Sequence, residues 1–117
     1  MKFSMKPSTN YLQHILDETR FLTENLSDIN LERFLHDPVL QRAVVRSLEI
    51  IGEAVKNTPQ ELQDKYPEVE WRKMAATRNR LIHGYFSVDF ELVWDIVANK
   101  ITALQHQIKH ILSQEER

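Results

Sequence analysis

The sequence predicts an all-α protein, an up-and-down bundle of four main helices with short additional helices between them. Three observations predict it. The chain has only 2 Gly and 4 Pro in 117 residues, which leaves room for long unbroken helices. Apolar residues recur at spacings of three and four through four long segments. The stretches between those segments are short, which sets neighbouring helices antiparallel. At 117 residues there is no second core to build, so residues 1–117 read as one domain, with 1–7 and 113–117 frayed.

The first main helix begins near Ser8–Asn10, where any of three polar side chains can cap the free N–H groups. Leu12, Ile15, Leu16, Leu22 and Leu26 give it one buried face. A short helical turn at Leu31–Leu35, capped by Asn30, brings Phe34 and Leu35 to one end of the core. The second main helix has Asp37 as N-cap and Pro38 at its first position. Its stripe is Leu40, Val44, Ser47, Leu48, Ile51 and Val55. Val45, Ile50 and Ala54 widen that stripe, so the helix is either central or also used in an interface. Gly52 lies mid-helix at a cost of about 1 kcal/mol relative to Ala, which points to close approach of a neighbouring helix.

Thr58-Pro59 repeats the cap-then-proline device and opens a short helix, Pro59 to Lys65, that Tyr66-Pro67 ends. The third main helix runs from Val69 or Glu70 to His83 on a stripe of Trp71, Met74, Ala75, Leu81 and Ile82. Gly84 closes it. The fourth starts near Ser87–Asp89 and continues as one long helix through Phe90, Val93, Trp94, Val97, Ile101, Leu104, Ile108 and Ile111. The polar tail SQEER frays.

Composition excludes several classes of function. With no Cys there are no disulfides, no thiolate metal sites and no Cys nucleophile. A formal net charge of -2 means that any nucleic-acid site is a local patch. No apolar leader or membrane-length run is present, which makes a cytoplasmic protein the expectation, with no membrane partner. No Gly-rich phosphate loop, Ser-His-Asp order or paired-carboxylate arrangement occurs. His106 and His110 stand four apart as half of a zinc site, but no further ligand is placed beside them. They read as a solvated face, so no metal and no cofactor are expected.

One stretch departs from this background. Between Arg72 and Arg80 lie four cations, Arg72, Lys73, Arg78 and Arg80, and no acid. Asn79 and His83 are four apart and share a helix face with Arg72 and Ala76. Arg78 is roughly 140° from His83 on a regular helix and falls on the Trp71–Met74–Leu81 side. An arginine there is either paired with Glu49 or Glu53, tying two helices together, or it lines a cleft. Glu49 and Glu53, four apart on one face, repel each other mildly and invite Arg78 or Arg80. A histidine in a last turn often only complements the helix dipole, and a tyrosine after a helix stop is commonly a core cover.

Residues 78–85, RNRLIHGY, carry Arg78, His83 and Tyr85 in the spacing Arg-x4-His-x-Tyr, with Asn79 directly after the arginine. This resembles the signature of the HepT-like toxins of the HEPN superfamily. Residues 86–89 and the segment LEIIGEAVKN of the second main helix look like the same family, so the similarity covers most of the chain. The resemblance implies a HEPN-like homodimer with two Arg-x4-His motifs facing each other across a cleft. It implies a metal-independent endoribonuclease acting as a toxin, held in check by a minimal nucleotidyltransferase antitoxin that adenylylates the motif tyrosine, here Tyr85.

That implication is chemically coherent. An RNA 2′-OH can attack the adjacent phosphate without a metal, which also excludes DNA. His83 would serve as general base or acid and Arg78 would stabilise the phosphorane. Asn79 would orient His83 or the phosphate. Arg72, Lys73 and Arg80 would hold the RNA backbone. A nucleotide on Tyr85 would add charge and bulk at the cleft mouth and repel RNA. Two other readings stand beside it. One is a non-catalytic HEPN scaffold for a nucleotidyltransferase, with Tyr85 as nucleotide acceptor. The other is a helical dimerisation module with a basic patch.

Overall fold

The computed structural model of the chain describes residues 7–83 and 88–116 and, within them, every side chain except those of Pro7, Ser8 and His83. All regular elements among them are helices: α1 Pro7–Leu26, α2 Leu31–Leu35, α3 Pro38–Asn57, α4 Gln60–Lys65, α5 Trp71–His83, α6 Phe90–Asn99 and α7 Ile101–Glu115. None of them is long and apolar enough to cross a membrane.

The caps form where polar side chains precede apolar runs. Asn30 accepts the Arg33 N–H at 2.9 Å and Asp37 accepts the Leu40 N–H at 3.0 Å. Asp89 accepts from Glu91 and Leu92, both at 3.1 Å. α1 starts earlier than Ser8–Asn10, at Pro7, whose fixed φ suits a first helical turn. Thr9 is therefore inside the helix and fully buried.

α3 is the central helix: it packs most extensively on α1 and α5 and also meets α2 and α6. The wide apolar surface of this segment thus serves a helix with four helical neighbours. α7 covers the other side of α1. The core fills between them with Leu12, Ile15, Leu22, Val44, Leu48, Ile51, Val55, Ile101, Ile108 and Ile111, each essentially without exposure. Phe34 plugs one end, its ring 5.3 Å from Trp94 and edge-on to Phe90 at 6.1 Å. Complete burial of one such ring contributes about 2–3 kcal/mol.

Three further expectations are corrected. Thr58 does not cap α4. It closes α3, and its hydroxyl donates back to the Ala54 carbonyl at 2.8 Å, leaving Pro59 at the start of α4 without a side-chain cap. Gln63 completes that closure by donating to the carbonyls of Val55 and Thr58, both at 3.0 Å. Ile82 is not core but 38% exposed. The fourth long helix is two, broken at Lys100, whose φ of -119° is too wide for an α-helix. α6 packs on α2 and α3 whereas α7 packs on α1, and the break lets one apolar stripe turn from the first pair to the second.

The C-terminal turn is also ordered further than its polar sequence suggests. α7 runs through Glu115 because Tyr66 donates its phenolic O–H to the Glu115 carboxylate at 2.6 Å and Lys65 Nζ lies 2.8 Å from the same oxygen. The hydrogen bond to Glu115, followed by burial, raises the Tyr66 phenol above its ordinary 10.0, and the same carboxylate raises Lys65.

Tyr66→Phe should therefore lower stability by about 1–2 kcal/mol in thermal unfolding. A group whose folded pKa is raised contributes stability below its unfolded value and loses it as pH rises through the folded one. The gap in Tm between wild type and Tyr66→Phe should accordingly hold through neutral pH and narrow only above about pH 10.

Candidate active site

The arginine of the central stretch is seated by a glycine. A Cβ added at Gly52 of α3 would collide with Cβ and Cγ of Arg78 on α5 and lie 3.1 Å from the Met74 carbonyl oxygen. The mid-helix glycine thus marks the closest approach of α3 and α5, as its position in the sequence suggests. The Arg78 stem lies over it and the head continues to the next residue of α3: Nη2 is 2.8 Å from Glu53 Oε1. Nη1 donates to Asn79 Oδ1 at 3.1 Å. Glu53 is fixed in turn by Asn57, whose Nδ2 donates to Oε2 at 3.0 Å. Of the two carboxylates on α3, Glu49 is taken by Arg46 of its own helix, at 3.5 Å.

Arg78 faces a groove of about 350 Å³ formed by α1, α3 and α5. Tyr11 and His14 of α1 line its far side, their rings edge-to-face at 6.1 Å. Arg46, Glu49, Glu53 and Asn57 line the α3 side, and Ile82 lies beside Arg78, which accounts for its exposure. The groove therefore brings two arginines, a histidine and two carboxylates together.

The structure divides the expected site residues. Arg78 and Asn79 are brought into contact, but the Asn79 carbonyl oxygen is occupied by the arginine. Arg72, Ala76 and Asn79 all lie exposed, as their common face predicts. His83 ends α5; its side chain, the Gly84 stop and Tyr85 lie outside the described residues. Lys73 and Arg80 line a second groove, of about 660 Å³, between α5 and α6. There they meet Lys100 and three carboxylates, Glu70, Asp89 and Asp95. Glu70 pairs with Lys73 at 3.0 Å and Lys100 at 3.6 Å, and its carboxyl is held below the usual range, chiefly by the Lys73 hydrogen bond. Two of these cations, Lys73 and Lys100, thus share one carboxylate, whereas Arg80 is exposed and makes no ion pair among the described residues. His106 and His110 are both exposed on α7.

Sequence reasoning missed Asn57, His14 and Lys100. Asn57 was within reach, since it stands four residues after Glu53 on the same helix. His14 and Lys100 reach their grooves only through helix packing, which leaves no local signal.

The chain belongs to the ribonuclease HepT-like family, whose model matches residues 15–111. A protein of Caldanaerobacter subterraneus subsp. tengcongensis named "Putative RNase" is 48% identical over 112 residues, covering 96% of this chain and 100% of that protein. A Methanocaldococcus jannaschii protein, also named "Putative RNase", is 42% identical over 91% of this chain and 88% of its own length. "Probable ribonuclease HepT" of Thermococcus cleftensis is 40% identical over 87% of this chain and 93% of its own. No solved structure matches the chain significantly. The resemblance carried by RNRLIHGY is borne out as family membership.

Gly52→Ala tests the seat. Alanine would gain about 1 kcal/mol of helix propensity. Overpacking against the Arg78 stem and the α5 backbone costs about 1–3 kcal/mol, occasionally more. Because the collision involves Cβ, which no rotamer change can move, the net result should be a lowered Tm in thermal unfolding.

Proposed function

We propose that the chain is a metal-independent endoribonuclease that acts as a homodimer, with two Arg78–His83 motifs facing one cleft. The observation that carries this reading is the balance of energies at Arg78. Its Nε is buried and finds no acceptor among the described residues. A buried donor left without a partner costs about 1–3 kcal/mol. The half-exposed pair with Glu53 returns no more than about 1 kcal/mol. A lysine or an apolar residue would bridge α5 to α3 at less cost. An arginine kept at that cost fits a group selected for what its planar fork binds.

In this reading the RNA 2′-OH attacks the adjacent phosphate, and the oxygen of the scissile P–O5′ bond leaves with a proton. The products are a 2′,3′-cyclic phosphate and a 5′-OH end. Arg78 stabilises the charge on the phosphorane oxygens, and His83, at the end of α5, takes or gives the proton. Asn79 holds the guanidinium at the edge of the exposed face that carries Arg72 and Ala76, the face that would look toward a second protomer. Because Lys73 is paired with Glu70 while Arg72 and Arg80 are exposed, Arg72 and Arg80 are the expected RNA-backbone contacts, with Lys73 contributing less. The names of the relatives, two of them "Putative RNase", support RNA as the substrate.

The toxin role belongs to the same proposal. A minimal nucleotidyltransferase would neutralise the nuclease by adenylylating Tyr85, two residues past His83, where added charge would repel the RNA backbone.

Cleavage of a labelled RNA in EDTA tests the nuclease. Wild type should cut and leave 2′,3′-cyclic phosphate ends, while Arg78→Ala and His83→Ala should each lose about 100-fold or more with the helical fold intact. Activity that survives in both variants would overturn the assignment. Well-folded wild type that cuts nothing would instead favour Tyr85 as acceptor in a scaffold.

A further inference from the structure

We propose that Glu53, braced by Asn57, is a positioning residue that sets the Arg78 guanidinium for its work on the phosphate. The inference rests on the nuclease reading of Arg78 and adds two residues to it. The two carboxylate oxygens of Glu53 have separate partners: Oε1 meets Arg78 Nη2 at 2.8 Å and Oε2 accepts from Asn57 Nδ2 at 3.0 Å. Asn57 Nδ2 also donates to the Glu53 main-chain carbonyl at 3.0 Å, so both ends of the Glu53 residue are tied to one amide. On the other side of the arginine, Nη1 donates to Asn79 Oδ1 at 3.1 Å.

The guanidinium is therefore gripped at both terminal nitrogens, from α3 and from α5, while its stem is pinned over Gly52. A planar group held at two edges cannot rotate about its own axis. Its remaining N–H bonds then point in fixed directions, which is what a donor pair needs in order to meet a developing phosphorane. The same geometry could serve only to bind helix to helix. Such a structural tie acts on stability, whereas a positioning residue acts on turnover and only through the group it positions.

The test is a double-mutant cycle on RNA cleavage by the full-length protein, with Glu53→Gln and Arg78→Lys singly and combined. Lysine keeps the charge but has no fork to orient. Glu53→Gln should lower kcat about 10–100-fold with KM little changed when Arg78 is present. Combined with Arg78→Lys it should cost less than about 3-fold more. Asn57→Ala should show the same pattern at smaller size. An equal cost of Glu53→Gln in both backgrounds, or an unchanged kcat, would overturn the proposal. If Arg78→Lys leaves kcat at the wild-type value, it is the nuclease role of Arg78 that fails. Should wild type cleave no RNA, side-chain NMR of Arg78 still reads the clamp. Distinct Nη1 and Nη2 signals that merge in Glu53→Gln would uphold it, and merged signals in wild type would overturn it.

Discussion

A close contact between two helices of this protein is set by an absence. α3 and α5 meet where Gly52 has no side chain, and the space a Cβ would fill is occupied by the stem of Arg78. Much else depends on that contact. It fixes how deep α5 sits, and with it the burial of Trp71, Met74 and Leu81. It delivers the guanidinium beside the next residue of α3, Glu53, at hydrogen-bonding distance. The same guanidinium lines the groove that Tyr11 and His14 bound on the α1 side. Helix packing and site chemistry are here one arrangement, since the residue that lets the helices approach adjoins the residue that grips the arginine.

The elements were legible in the sequence where a cap preceded an apolar run: Asn30, Asp37 and Asp89 each lead into a helix as read. Gly52 was legible too, because a glycine costs enough within a helix to demand a neighbour. Less legible were features decided by where a helix packs. The Lys100 break changes neither the residue types nor the spacing of the stripe, which runs from Val97 to Ile101 to Leu104 without interruption. Thr58 shows the limit of local signals: a threonine before a proline can face either helix, and its hydroxyl found the Ala54 carbonyl first. In the site, the Arg78–Glu53 pairing followed from two like charges a turn apart. The second groove that Lys73 and Arg80 line did not, because it depends on how α6 packs beside α5.

The charges have a consequence for any polyanion. Arg46, Arg78, Lys73 and Lys100 are each already paired with a carboxylate, so a phosphate approaching one of them replaces a partner rather than filling an empty site. Exchanging one ionic partner for another in a half-exposed groove is nearly balanced in energy. Affinity for a polyanion then grows mainly with how many such exchanges occur at once.

The anchoring of Glu115 bears on a different property, the order in which the molecule comes apart. Chain ends usually open first, because few contacts hold them. Here the final turn of α7 is tied to a residue 49 positions earlier, at the end of a six-residue helix too short to persist by itself. α4 in turn supplies the amide that satisfies the last carbonyls of α3. The ends of α3, α4 and α7 thus form one cooperative unit, and its amides should exchange with solvent together rather than from the terminus inward. A peptide fused after Arg117 would hang from this junction, and a fusion that strained it would be felt first at the closing turn of the central helix.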